Sequence, residues 1–156
     1  WGGETSVHDA KSMANITVPS LYVSGDQDDV SGYENGVKKL FEQTGSDNKY
    51  LMVYENARHN IAPHPAPKVA YETDADLGHY IEPSWDNEQL NRVNMHMSLA
   101  FLDCFVKSDQ SKCAYLPTRD NATQVKDSDG KLSEAWPGFA DRWATGIRFY
   151  RGANAK

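Results

Sequence analysis

The chain has 156 residues, of which 39% are hydrophobic and 24% are charged, as expected for a globular protein with a core of its own. A net charge of −6 and a pI near 5.3 argue against nucleic acid as the main partner, and no basic cluster offsets that charge. No apolar run approaches the ~20 residues of a membrane span, so we expect none.

The first predicted element is a short buried strand over residues 17–24, "TVPSLYVS", followed by a carboxylate-rich loop at residues 25–29. A helix follows the loop. Ser31 and Glu34 have the spacing of a capping box, and Gly45 is suited to the C-terminal cap. One face of this helix is apolar, through Val37, Leu40 and Phe41.

A second apolar strand is predicted over residues 49–54, and residues 55–86 are predicted to be mostly loop. A long helix then runs from about Asn87 to Lys107, with Asp86 and Gln89 placed to cap it. Its apolar stripe consists of Leu90, Val93, Met97, Ala100, Phe101 and Cys104. Strand, helix and strand in this order, with both strands apolar throughout, predict an α/β protein whose parallel sheet is covered on both faces.

The two cysteines, Cys104 and Cys113, have no metal-binding spacing. They are either two reduced thiols or a local disulfide, and a disulfide would indicate an oxidising compartment. Residues 108–156 are predicted to form an irregular extension whose aromatic residues pack on a core formed by residues 1–107. The "DSDG" stretch at residues 127–130 lacks the other ligands of a calcium loop, and we expect no metal or cofactor.

Residues with useful chemistry follow both predicted strands. Asp26, Asp28 and Asp29 come after the first strand, and His59 comes after the second. Because the carboxyl ends of adjacent parallel strands meet at one edge, a carboxylate is expected beside this imidazole. A carboxylate that accepts from Nδ1–H leaves Nε2 free to act as a base. We therefore predict that one of Asp26, Asp28 and Asp29 is hydrogen-bonded to His59, and that one of the other two caps the next helix.

The stretches "ITVPSLYVSGDQDDV" and "KYLMVYENARHN" resemble the C-terminal half of an α/β-hydrolase, and "HMSLAFLDCFVK" resembles its closing helix. By position, the resemblance implies that Asp28, three residues after Gly25, is the triad acid and that His59 is the base. "WGGE", "NARHNIAPHPAP" and "WPGF" are most similar to the secreted bacterial type of predicted dienelactone hydrolase. The implied activity is hydrolysis of carboxylic esters or lactones, in a secreted or periplasmic enzyme.

The chain departs from that family in one respect. It has no G-x-S-x-G elbow, and Ser24 precedes Gly25 without the flanking pattern. We therefore expect the nucleophile on an upstream N-terminal part of the same enzyme, in a strand beside the one that ends near Asp28. Without that part, a buried sheet edge would be exposed, and the chain alone should lack esterase activity.

Two other functions stay open. The same cleft could serve a non-catalytic binding module, or the enzyme could be a peptidase of the same fold. For the remaining histidines, His64 and His79 are interpreted as solvated loop residues and His96 as part of a helix surface or core. Three tryptophans could line a pocket, but the default interpretation is that they anchor the irregular tail. They are Trp85, Trp136 and Trp143.

Overall fold

The computed structural model describes residues 10–63, 65–117 and 145–153. This part of the chain has an α/β architecture with a three-stranded mixed sheet. The α-helices are α1 (Ala10–Ala14), α2 (Lys38–Gln43), α3 (Asp74–Leu77), α4 (Asn87–Phe105) and α5 (Gln110–Cys113). The strands are β1 (Ser20–Gly25), β2 (Lys49–Tyr54) and β3 (Ile147–Arg151). A π-helical turn, Tyr33–Val37, precedes α2, and a 3₁₀ turn, Lys68–Glu72, precedes α3.

The sheet has the order β1-β2-β3, with β2 in the centre. β1 and β2 are parallel, as predicted, and Gly25 at the end of β1 lies opposite Tyr54 at the end of β2. β3 runs antiparallel to β2 and pairs along its full length. The polypeptide segments that follow β1 and β2 therefore leave the sheet at the same edge, where the candidate site lies.

Helices cover both faces of the sheet. On one face, α4 packs against Tyr50, Met52 and Tyr54 of the central strand and against Phe149 of β3. On the other face, the π-helical turn packs against two further side chains of β2, Leu51 and Val53. Each of these six sheet side chains has 1% or less of its surface exposed. The continuous apolar character of β2 thus reflects burial on both faces.

The long helix matches its prediction closely. α4 spans Asn87–Phe105, and the Asp86 side chain accepts a hydrogen bond from the backbone N–H of Gln89 at 2.8 Å. Its buried residues are Leu90, Val93, Met97, Ala100 and Cys104. Among the helices in the described ranges, none has the length and apolar character needed to cross a bilayer.

The first predicted helix differs from the structure. Its N-terminal part is the π-helical turn, whose N-cap is Gly32 and which has no side-chain cap, so the capping box of Ser31 and Glu34 is absent. Gly45 likewise does not close α2 in a left-handed conformation. A Cβ at this glycine would lie 2.0 Å from the carbonyl oxygen of Ala14, so Gly45 is required for the close approach of α1.

The predicted alternative of a disulfide is confirmed. Cys104 at the end of α4 is bonded to Cys113 of α5, and their Cα atoms are 4.9 Å apart. The disulfide is compatible with an extracellular location. Within the C-terminal segment that was predicted to be irregular, α5 and β3 are regular elements. The error over β3 has a simple cause, because the strand gains its structure from pairing with β2 almost a hundred residues earlier.

Candidate functional site

Two backbone segments meet closely at the carboxyl edge of β1 and β2. The N–H of Asp26 donates to the carbonyl oxygen of Tyr54 at 3.1 Å, and the N–H of Gln27 donates to that of Ala57 at 2.9 Å. A Cβ at Gly25 would lie 2.2 Å from the same Ala57 oxygen and 2.4 Å from the carbonyl oxygen of Arg58. Glycine is therefore required at position 25, because any side chain would push apart the segments that carry Asp28 and His59.

The predicted pair of Asp28 and His59 is present. Nδ1 of His59 lies 3.1 Å from Oδ1 and 3.2 Å from Oδ2 of Asp28. The Asp28 side chain is only 4% exposed, whereas the His59 side chain is 34% exposed. The carboxylate thus accepts from Nδ1–H inside the protein, while one side of the ring remains open to solvent.

Asp28 is held in place by its own backbone. Its Oδ1 accepts hydrogen bonds from the N–H groups of Val30 and Ser31, both at 2.9 Å. The prediction that Asp26 or Asp29 caps the next helix is therefore wrong, since Asp28 satisfies the backbone groups just before the π-helical turn. These two backbone donors fix the carboxylate, so the imidazole meets an acceptor whose position is already set.

The two rival carboxylates have other partners. Asp26 accepts from the N–H of Asn56 at 2.7 Å and pairs with Nη2 of Arg148 at 2.5 Å. Asp29 forms an exposed ion pair with Arg58, and the hydrogen bond from Arg58 lowers the pKa of the Asp29 carboxyl. The two carboxylates therefore hold the residues just before His59, through Asn56 and Arg58.

Arg148 of β3 was not anticipated by the sequence analysis. Besides Asp26, its guanidinium approaches Glu55, with Nε 3.4 Å from Oε1. The arginine thus connects the edge of β3 to residues that follow both β1 and β2. No local signal identified it, because the contact spans more than a hundred residues of sequence.

A buried carboxylate, Glu82, was also missed. It is 4% exposed, and its two oxygens accept hydrogen bonds from the N–H groups of Arg58 at 2.9 Å and Ser84 at 3.0 Å. The neighbouring Asn60 amide donates to the carbonyl oxygens of Gly78 at 2.8 Å and Ile81 at 3.1 Å. His59 therefore lies between two residues that are both tied to the segment at 78–82.

The second ring nitrogen of His59 is available. Within residues 10–63, 65–117 and 145–153, Nε2 makes no hydrogen bond, and no hydroxyl or thiol serves as its partner. Ser24 is 1% exposed and its hydroxyl donates to the carbonyl oxygen of Gly25 at 3.0 Å, so it cannot act as a nucleophile. Both cysteines are bonded to each other in the disulfide, so neither is a free thiol.

The remaining residues named from the sequence take no part in the hydrogen bond of the pair. His79 is exposed, and His96 packs edge-on against Tyr115 with a lowered pKa caused by burial. The Trp85 indole N–H donates to the Glu55 carbonyl oxygen at 2.8 Å, and its ring lies about 3 Å from where a Cβ would stand at Gly146. Trp85 thus anchors the start of β3, in agreement with its predicted role. His64, Trp136 and Trp143 fall outside the described residues.

An apolar groove borders the site along β1. It has a volume of about 220 Å³ and lies between β1, the residues that follow His59, and α4. It is lined by Leu21, Val23, Ile61, Ala62, Asn94 and Ser98. The groove places apolar surface beside the segment that carries the imidazole.

The described residues contain no group of three or more His, Cys, Asp or Glu side chains arranged to hold a metal ion. What they do present is a carboxylate–imidazole pair with a free ring nitrogen, positioned at the ends of two parallel strands. The chain matches no known family model, no curated protein and no solved structure.

Proposed function

We propose that this chain supplies the acid and the base of a serine hydrolase that cleaves carboxylic esters or lactones, and that an upstream segment of the same enzyme supplies the nucleophile. One observation carries the proposal. His59 Nδ1 is held by a nearly buried Asp28, while Nε2 makes no hydrogen bond in the described residues and the ring is one-third exposed. The order of acid before base, each after a parallel strand, is that of the α/β-hydrolases that the sequence resembles.

The pair has the parts required for acyl transfer. Nε2 of His59 takes the proton of the nucleophile as it attacks the carbonyl carbon, and Asp28 stabilises the imidazolium that forms. The imidazolium then gives this proton to the departing alkoxide, leaving an acyl-enzyme. In the second half, Nε2 takes a proton from water, which releases the acid and restores the nucleophile. Each proton passes through one nitrogen, so the nucleophile must lie within about 3 Å of Nε2.

The proposal is tested on the full protein with a fluorophosphonate probe and a panel of activated esters and lactones. We expect His59→Ala to lower both labelling and hydrolysis by at least about 10³-fold. Asp28→Asn retains an oxygen for the backbone donors but favours the wrong imidazole tautomer, so a loss of about 10⁴-fold in kcat is expected. His79→Ala is the matched control, because the His79 side chain is exposed and takes no part in the hydrogen bond between Asp28 and His59, and it should behave as the wild type.

Three outcomes would contradict the proposal. Labelling that is unchanged in His59→Ala would remove His59 from the base role. A folded full protein that takes no label and hydrolyses no ester would instead favour the alternative of a binding module. Hydrolysis of amides in preference to matched esters would identify the peptidase alternative, with the same two residues in the same roles.

A further inference from the structure

The long helix α4 is apolar on two opposite faces. Its inner face packs on the sheet, while four large apolar residues on the outer face are exposed to solvent, by 47% to 72%. These residues, which we call the outer stripe, are Met95, Leu99, Leu102 and Val106. They are spaced four, three and four residues apart, which is the spacing of side chains at a helix–helix seam. A solvated helix face does not require this pattern.

We infer that a second copy of this chain docks on the outer stripe, with the two α4 helices antiparallel about a twofold axis. The spacing of the stripe reads the same in both directions. An antiparallel pairing centred between Leu99 and Leu102 therefore places Leu99 opposite Leu102 of the second copy, and Met95 opposite Val106. Every apolar residue meets an apolar residue, as a self-complementary twofold interface requires.

The charges next to the stripe agree with this register. Beyond Met95, the same helix face continues with Arg92 and Glu88, which form an exposed ion pair. Antiparallel pairing brings Arg92 to the carboxyl end of the other α4, where Asp109 and the negative end of the helix dipole lie. A parallel pairing would instead place Arg92 against Arg92 and Glu88 against Glu88.

The surface around Met95 extends the proposed interface. Met95 lines a cavity of about 360 Å³, together with Tyr71 and Tyr80 and the proline-rich segment near Pro63. Tyr71 is 68% exposed. In the antiparallel register, Val106 of the second copy faces Met95 and packs at the mouth of this cavity. The stripe and the cavity thus form one apolar surface that a second copy covers.

The first test is the mass of the full protein in solution, measured by sedimentation equilibrium over a range of concentrations. We expect the wild type to approach twice the mass of one chain. Leu99→Glu/Leu102→Glu should shift it to the monomer, with an unchanged circular dichroism spectrum. The matched control is Val30→Glu, because Val30 is 69% exposed and lies off the stripe, and it should remain a dimer. A wild type that stays monomeric at all concentrations would overturn the proposal, including the case in which another segment of the same chain covers the stripe.

The second test fixes the register. Within one chain, positions 95 and 106 on α4 are separated by about 16 Å along the helix, so Met95→Cys/Val106→Cys cannot form a bond between them. In the proposed dimer, position 95 of each copy faces position 106 of the other, and oxidation should give a covalent dimer. Peptide mapping should show 95 linked to 106, with Cys104–Cys113 retained. Links of 95 to 95 and 106 to 106 would indicate parallel pairing and overturn the proposed interface, as would the absence of crosslinks.

Discussion

The two outer strands of the sheet in the described residues, β1 and β3, differ in composition. β3 has the composition of an edge strand, and we call it the finished edge. β1 has the composition of an interior strand, and we call it the unfinished edge. β3 alternates buried Ile147 and Phe149 with Arg148, Tyr150 and Arg151, and charged side chains are typical of strands at a sheet edge. In β1, Leu21, Tyr22 and Val23 are apolar on both faces yet only partly buried. That composition is typical of an interior strand. The unfinished edge carries Asp28 just beyond its end, which agrees with the proposed upstream segment.

The largest expected effect tests how completely each edge is packed. Phe149→Ala in β3 should cost about 3–5 kcal/mol, because Phe149 is fully buried. Val23→Ala in β1 should cost about 1 kcal/mol in this chain alone, because its side chain is only partly covered. Urea unfolding of both variants measures the difference. Equal costs in this chain would show that the two edges are packed alike, and a larger cost for Val23→Ala in the full protein would show that an upstream segment covers β1.

A second effect concerns the disulfide between α4 and α5, on the sheet face that contains Phe149. Cys104 belongs to the same buried cluster as Phe149, and the disulfide to Cys113 holds α5 against α4. Cys113→Ser should lower the free energy of unfolding by about 2–3 kcal/mol, since the closed loop is short. The intact mass without reductant should show the bond in the wild type. Two free thiols in the native protein would contradict both the bond and an oxidising compartment.

At the unfinished edge, Gly25→Ala should cost about 1–3 kcal/mol, because the added Cβ would overlap two carbonyl oxygens after β2. The same change should lower the proposed esterase activity by more than the loss of folded protein accounts for, since it separates the segments that hold Asp28 and His59. Gly78→Ala is the comparison, because its Cβ would lie 3.3 Å from the carbonyl oxygen of Asp74, a tight contact but without the overlap found at Gly25. A Gly25→Ala variant as stable and active as the Gly78→Ala variant would show that the close approach is not required.

The smallest effect is a pH dependence of the free energy of unfolding that arises from His96 in α4. Burial lowers the pKa of His96, so below about pH 6.5 the unfolded chain binds more protons than the folded one. Stability should therefore fall as the pH is lowered through 6.5 and stop falling below the folded pKa. His96→Phe retains a ring against Tyr115 but cannot titrate, so it should lose this part of the pH dependence. Unfolding free energies of both proteins between pH 7 and 5 provide the measurement.

Local sequence predicted the elements whose structure depends on neighbours in the chain. β2 and α4 have strong apolar patterns and clear ends, and parallel pairing of β1 with β2 then brings Asp28 to His59. The π-helical turn was missed, because apolar spacing does not distinguish it from an α-helix. The role of Glu82 depends on hydrogen bonds to residues far along the chain, which no local pattern reports.

The alternation in β3 was visible in the sequence, but its aromatic residues were interpreted as an irregular tail. The strand requires β2 as a template, and β2 lies far upstream. The composition of β1 had the opposite consequence. It correctly predicted a strand. Its apolar residues on both faces are typical of an interior strand, whereas in the described residues β1 lies at the edge of the sheet.

Glu82 and Asn60 fix the residues on either side of His59 to the segment at 78–82. Their hydrogen bonds tie Arg58 and Asn60, on either side of His59, to residues 78–82, so the loop between them begins and ends at nearly the same place. Insertions or exchanges within residues 65–77 therefore need not move the imidazole. Under the proposed hydrolase function, changes within residues 65–77 could therefore alter substrate preference while Asp28 and His59 stay in place.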